Sequence, residues 1–173
     1  RFKKAAKMTS FNQKQVLDYG CGSGMFLQAI SNEIKNGIGV DLDTDVANKV
    51  ITADNITLKQ ITHESEISHL SDIDIITSFD VLEHIKDLDS VFSIFEKVLA
   101  KDGIIIISGP TENFYYKLAR MITRLGVKGN LLGEKEHVTN ITEIKNKMIK
   151  RGYRIENNVN LWNLFHVTSF RIN

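Results

Sequence analysis

Short apolar runs alternate with stretches of helical spacing along the whole chain. Residues 15–19 form a short apolar strand. Phe26, Leu27, Ala29, Ile30 and Ile34 then repeat at helical spacing to about Lys35, where Asn36-Gly37 supplies a left-handed cap. Further strands are predicted at 38–41, 56–61 and 73–78. A helix over 88–100 carries Val91, Phe92, Phe95, Val98 and Leu99 on one face, and Lys101-Asp102-Gly103 turns the chain after it. Ile104 to Ile107 are consecutive and lack alternation, as in a strand covered on both faces. Gly109-Pro110 is expected to break that strand, and a helix over 114–125 to follow. Asn140 or Thr142 precedes a helix over 143–151 that Gly152 ends. Two last strands, 153–159 and 164–172, are joined too closely for a crossover helix, so they must be antiparallel. The pattern predicts an α/β fold: seven strands, mostly parallel with an antiparallel last strand, and helices on both faces. One domain over residues 1–173 is expected, with 1–14 as the end of an N-terminal helix.

The chemistry concentrates after the first strand. Leu17-Asp18-Tyr19-Gly20-Cys21-Gly22-Ser23-Gly24 has glycine at alternate positions and leads into a helix. Such a loop lets the backbone turn tightly and approach a nucleotide-like ligand. A dinucleotide fingerprint requires a third glycine at position 25, which is Met25. Asp41 ends the second strand and is placed to accept hydrogen bonds from the two hydroxyls of a ribose, or else to cap the next helix.

Composition narrows the partners. Net charge is +1, which makes no global case for nucleic acid. No apolar run approaches the roughly 20 residues of a membrane span. No secretory signal is visible. Cys21 is the single cysteine, which fits a reducing, cytoplasmic setting. It reads as a small side chain filling a crowded loop, not as a nucleophile.

The G-x-G-x-G loop after Leu17-Asp18, with Asp41 and the segment Asp74 to Ile85, resembles the class I S-adenosylmethionine-dependent methyltransferases, small-molecule type. The resemblance covers about residues 15–172 and implies a Rossmann-like sheet. It further implies methyl transfer from S-adenosylmethionine to oxygen or nitrogen of a small acceptor (a sugar, a quinol-like ring or another metabolite). In that family the glycine loop packs around the amino-acid part of the cofactor. The implied cofactor contacts are Asp18, Tyr19, Gly20, Cys21, Gly22 and Gly24 in the loop. Asp41 and Leu42 follow the second strand, Glu64 the third, and Ser78 and Phe79 end the fourth. His137 is the first candidate for a general base, with His84 as the second. Some relatives carry E-x-x-E-H here and bind a divalent metal. This chain has Asp80-x-x-Glu83-His84, a pattern also found in relatives without metal, and no metal site is expected. Residues 110–137, with Phe114, Tyr115, Tyr116, Arg120, Arg124 and Lys128, are the candidate substrate lid. Two other classes share these features: a non-catalytic cofactor-binding protein and an NAD-dependent oxidoreductase.

Overall fold

A computed structural model describes residues 1–111, 138–162 and 164–172. Its helices are α1 (Phe2–Ala5), α2 (Met25–Ile30), α3 (Asp45–Val50), α4 (Leu88–Val98) and α5 (Ile141–Lys150). Its strands are β1 (Gln15–Tyr19), β2 (Asn36–Asp41), β3 (Ile56–Gln60), β4 (Ile73–Phe79), β5 (Leu99–Pro110), β6 (Tyr153–Leu161) and β7 (Phe165–Ile172). Short 3-10 turns cover Glu64–Ile67 and Leu82–His84. His137, the helix expected over 114–125 and nearly all of the expected lid lie outside the described residues.

The sheet order is β3-β2-β1-β4-β5-β7-β6. From β3 to β5 every pairing is parallel, and β7 runs antiparallel to both β5 and β6. The chain winds outward from β1 to β3, then returns to the other side of β1 for β4. The carboxyl ends of β1 and β4 therefore flank a topological switch point, where open α/β sheets bind ligands.

Alternation along the strands builds a core on each face. Leu17, Ile76, Ile105 and Ile107 pack with α4 and α5 through Phe92, Phe95, Ile144 and Met148. Val16, Ile75, Ile104 and Ile106 face the other way, onto Phe26, Leu27 and Ile30 of α2 and onto Ala5 of α1. The isoleucine run thus serves both layers, as its lack of alternation predicts.

Several boundaries differ from the sequence expectation, each for a tertiary reason. Helix α2 ends at Ile30 rather than near Lys35. Asn55 donates to the carbonyls of Ser31 (2.9 Å) and Ile34 (3.1 Å), satisfying acceptors that a longer helix would have used. Gly37 is not a cap but a residue of β2. A Cβ there would lie 3.0 Å from Ile34 and 3.2 Å from Leu27, so glycine permits the chain after α2 to pack closely on the sheet. Helix α4 stops at Val98, because Leu99 already pairs with Ile73. The expected turn at Lys101-Asp102-Gly103 is the irregularity of β5 before Ile104 rejoins β4 opposite Ile75. Gly109 and Pro110 do not break β5; they pair with His166 and Phe165 of β7. Pairing with β4 has ended at Ser108, which leaves one side of the strand without ladder bonds, where proline is tolerated.

Asn140 caps α5, with Oδ1 accepting from the N–H groups of Thr142 (3.0 Å) and Glu143 (3.1 Å). Asn140→Ala is expected to cost about 1 kcal/mol, measured as a lowered urea midpoint with unchanged m-value.

Candidate active site

The loop leaving β1 is built from three left-handed glycines, Gly20, Gly22 and Gly24, at φ 77, 52 and 71°. Its backbone folds over the end of β2. Gly20 and Cys21 donate to the Val40 carbonyl at 2.8 and 3.0 Å. At Gly20 a Cβ would stand 2.2 Å from Val81 Cγ2, so the loop meets the segment after β4 at van der Waals contact. At Gly22 a Cβ would meet nothing within 4 Å, so this backbone faces open space. The Gly22 N–H donates to Asp41 Oδ2 at 2.8 Å, and the Asp43 N–H to Asp41 Oδ1 at 3.3 Å. Asp41 therefore does not cap α3, whose N-cap is Thr44. Leu42 follows it and is largely exposed.

Inside the loop, burial decides the charges. Asp18 is fully enclosed, and its carboxylate accepts the Thr77 hydroxyl at 2.7 Å. Burial raises it to about 7, the Thr77 bond opposes that rise, and the Asp41 charge adds to it. Burial pushes the Cys21 thiol up to about 12, with Asp18 and Asp41 adding, so the sulfur stays neutral; it packs against Gly39 of β2. Tyr19 is core: its ring meets Phe95 edge-on at 5.2 Å. Burial, then the charges of Glu64 and Asp41, push its hydroxyl up to about 12.

Glu64 opens the turn after β3, and its carboxylate accepts the Ser90 hydroxyl of α4. Its two polar neighbours are occupied by the turn itself. Glu66 accepts from the N–H groups of Thr62 (2.7 Å) and His63 (3.0 Å), and His63 Nδ1 caps the turn through the Ser65 N–H.

At the end of β4, Ser78 is buried, and its hydroxyl has no hydrogen-bond partner among the described residues. Phe79 meets the Phe26 ring edge-on at 4.8 Å and the tilted Phe2 ring of α1 at 5.2 Å. Asp80 has φ 58°, which a non-glycine residue rarely adopts. Its N–H donates to the Ser108 carbonyl and its carboxylate accepts the Ser108 hydroxyl, both at 3.0 Å. Arg1 forms an ion pair with it while lying over the Phe165 ring at 4.8 Å. Glu83 is buried, and its carbonyl accepts the N–H groups of Val138 (2.8 Å) and Thr139 (3.3 Å). That stitch brings the start of α5 to the carboxyl edge. His84 lies partly buried in the same turn. Among the described residues no three His, Cys, Asp or Glu side chains converge as metal ligands.

The fold thus gathers the glycine loop, Asp41, Leu42, Glu64, Ser78 and Phe79 at one edge of the sheet. Sequence reasoning missed Thr77, Ser108 and Val81. The first two were visible as polar residues in otherwise apolar strands; Val81 carried no signal, since only the fold sets it against Gly20.

A family model described as "Methyltransferase domain" matches residues 2–158. The chain belongs to the methyltransferase domain family. The domain has a seven-stranded sheet. It is similar to the "Ubiquinone biosynthesis O-methyltransferase" of Actinobacillus pleuropneumoniae serotype 7, 32% identical over 105 residues, covering 55% of this chain and 45% of that protein. The protein of the same name from Hydrogenovibrio crunogenus is 27% identical over 111 residues, covering 61% and 46%. The methyltransferase domain spans less than half the length of these curated relatives. Its fold is shared by an S-adenosylmethionine-dependent methyltransferase from Mesorhizobium loti, with TM-score 0.74, 16% identity, and 98% and 96% of the two chains covered. The N-methyltransferase NodS from Bradyrhizobium japonicum, solved with S-adenosyl-L-homocysteine, gives TM-score 0.71, 16% identity, and 99% and 85% covered.

Proposed function

We propose that this domain binds S-adenosylmethionine at the carboxyl ends of β1, β2 and β4 and passes its methyl group to an oxygen of a small acceptor. The observation that carries this reading is the Asp41 carboxylate held on the Gly22 N–H, beside backbone that faces open space. The residues fit the cofactor. Asp41 keeps lone pairs for the ribose hydroxyls, the glycine loop offers bare backbone, and Ser78 brings a buried hydroxyl that lacks a partner among the described residues. Phe79 and Leu42 supply apolar walls, and Glu64 stands on the adenine side. Oxygen as the accepting atom is supported by the similarity to the O-methyltransferases named above.

The cofactor supplies a sulfonium carbon already activated for displacement. With the cofactor held by Asp41 and the glycine loop, the protein would align the acceptor oxygen with that carbon for in-line displacement and exclude water. An acceptor hydroxyl must also lose its proton. His84, in the turn after β4, and His137 are the bases we assign to that task. Residues 110–137 are the lid in this reading, and the whole chain acts as one domain. The net charge of +1 favours a small molecule over nucleic acid as acceptor. Among the described residues no helix is long and apolar enough to cross a membrane. The neutral, buried Cys21 suits a reducing, cytoplasmic setting.

Calorimetric titration with S-adenosylmethionine, S-adenosylhomocysteine and NADH in parallel tests the reading. Micromolar binding of both adenosyl ligands without NADH binding is expected. NADH binding alone, or no adenosyl binding, would overturn it.

A further inference from the structure

On the α5 face of the sheet, the carboxyl edge continues past β5 into a second polar cluster. His166 stands opposite Gly109 in the antiparallel β5–β7 ladder, so the two residues share a face. A Cβ on Gly109 would point at Ile141 (3.4 Å) and at Glu83 Oε2 (3.8 Å), which places that face toward α5 and the turn after β4. Lys145 reaches this cluster from α5. Its Nζ donates to Asn158 Oδ1 at 3.2 Å and lies 3.4 Å from His166 Nδ1. Asn158 Oδ1 also accepts the Thr168 hydroxyl at 2.8 Å, which fixes the amide.

The ammonium of Lys145 has only neutral partners among the described residues. Burial holds it below the usual amine range, and no carboxylate pulls it back up. Two other cations near this stretch of chain are treated differently: Lys147 meets Asp89 at 2.6 Å, and Arg151 meets Glu96 at 2.8 Å. A half-buried charge without a counter-ion costs stability unless something else supplies the opposite charge. Burial, with the Lys145 charge beside it, also holds His166 below the usual imidazole range. Lysine can only donate, so His166 Nδ1 accepts and Nε2 carries the ring proton. That N–H and the remaining ammonium hydrogens are available to an oxyanion.

We propose that Lys145 and His166 form a subsite for an oxyanion, carboxylate or phosphate, carried by the methyl acceptor. This rests on the reading of the carboxyl edge as a methyl-transfer site. The subsite lies beyond β5, away from the glycine loop on β1, so it orients the acceptor without touching the cofactor. It narrows the acceptor class to hydroxylated molecules that also bear an anionic group.

The test is a titration of the histidine side-chain NMR signals of the full chain with inorganic phosphate, with benzoate and with phenol. Saturable shifts of the His166 ring with phosphate or benzoate, and none with phenol, are expected; the stronger of the two identifies the oxyanion. Lys145→Met should weaken that binding by about tenfold or more, and Lys145→Arg should retain most of it. S-adenosylhomocysteine binding by calorimetry should be unchanged in both variants, which also shows that they fold. Absence of a His166 response to either anion, or an undiminished response in Lys145→Met, would overturn the subsite. Failure of the wild-type chain to bind S-adenosylhomocysteine would instead strike the proposed function, a result read independently of the anion titration.

Discussion

Asp41→Ala weakens S-adenosylhomocysteine binding by about 1.5–3 kcal/mol, the range for hydrogen bonds to a charged group. That corresponds to roughly ten- to 150-fold in affinity. The carboxylate has two tasks in this structure. It is aimed from the end of β2 at the edge where the ribose is proposed to lie, and it already holds the Gly22 N–H at 2.8 Å. Alanine removes the ribose acceptor and also unties a loop whose three glycines have the most conformational freedom to lose. Asp41→Asn keeps one oxygen and should lose less. The comparison separates tethering from ribose recognition: loss confined to alanine indicates the tether, whereas loss in both indicates the charge. Calorimetry on the two variants is sufficient, and unchanged affinity in alanine would refute both roles. Capping of α3 does not confuse the result, because Thr44 occupies that N-cap and Asp43 accepts the Asp45 N–H at 2.8 Å.

Asp18→Asn stabilises the domain above neutral pH. Burial raises Asp18 from 3.8 to about 7, so the folded chain holds a proton that the unfolded chain has released. The sign follows from linkage. Stability from neutral Asp18 is full below the unfolded value of 3.8 and is lost as pH rises through the folded value near 7. Asparagine resembles the neutral acid at every pH and keeps an oxygen for the Thr77 hydroxyl. At pH 8 the variant is therefore expected to be more stable by about 2–4 kcal/mol, because each tenfold difference in proton affinity between the folded and unfolded chains is worth about 1.4 kcal/mol. Below the unfolded value the two proteins should unfold alike. Urea unfolding across that window is the measurement, and a pH-independent difference would contradict the buried, titrating carboxyl.

Loop chemistry was legible because it is local. Three glycines at alternate positions, followed by a helical repeat, state where the backbone must be left-handed and unobstructed. The expected ribose acceptor, Asp41, needed only its place at the end of a short apolar strand. Beyond β4 the reading from sequence was weaker, because the D-x-x-E-H side chains are placed by partners distant in the chain. Asp80 is held by Ser108 and Arg1, and Glu83 carries the start of α5 through its backbone.

By itself the sequence determined the α/β order of elements, the two-faced isoleucine strand, the antiparallel final pair and the left-handed glycine loop. All of these follow from periodicity and from the backbone preferences of single residues. Only the tertiary structure decided where α2 ends, since Asn55 must come from 20-odd residues onward to take its carbonyls. It alone decided that Gly37 packs rather than caps, that Pro110 stays in β5, and that Asp18 titrates near neutrality. It also decided that Lys145 lies beside a neutral imidazole, with no acid pairing it among the described residues. Desolvation and close contact depend on what surrounds a residue in space, and residues distant in the chain supply those surroundings.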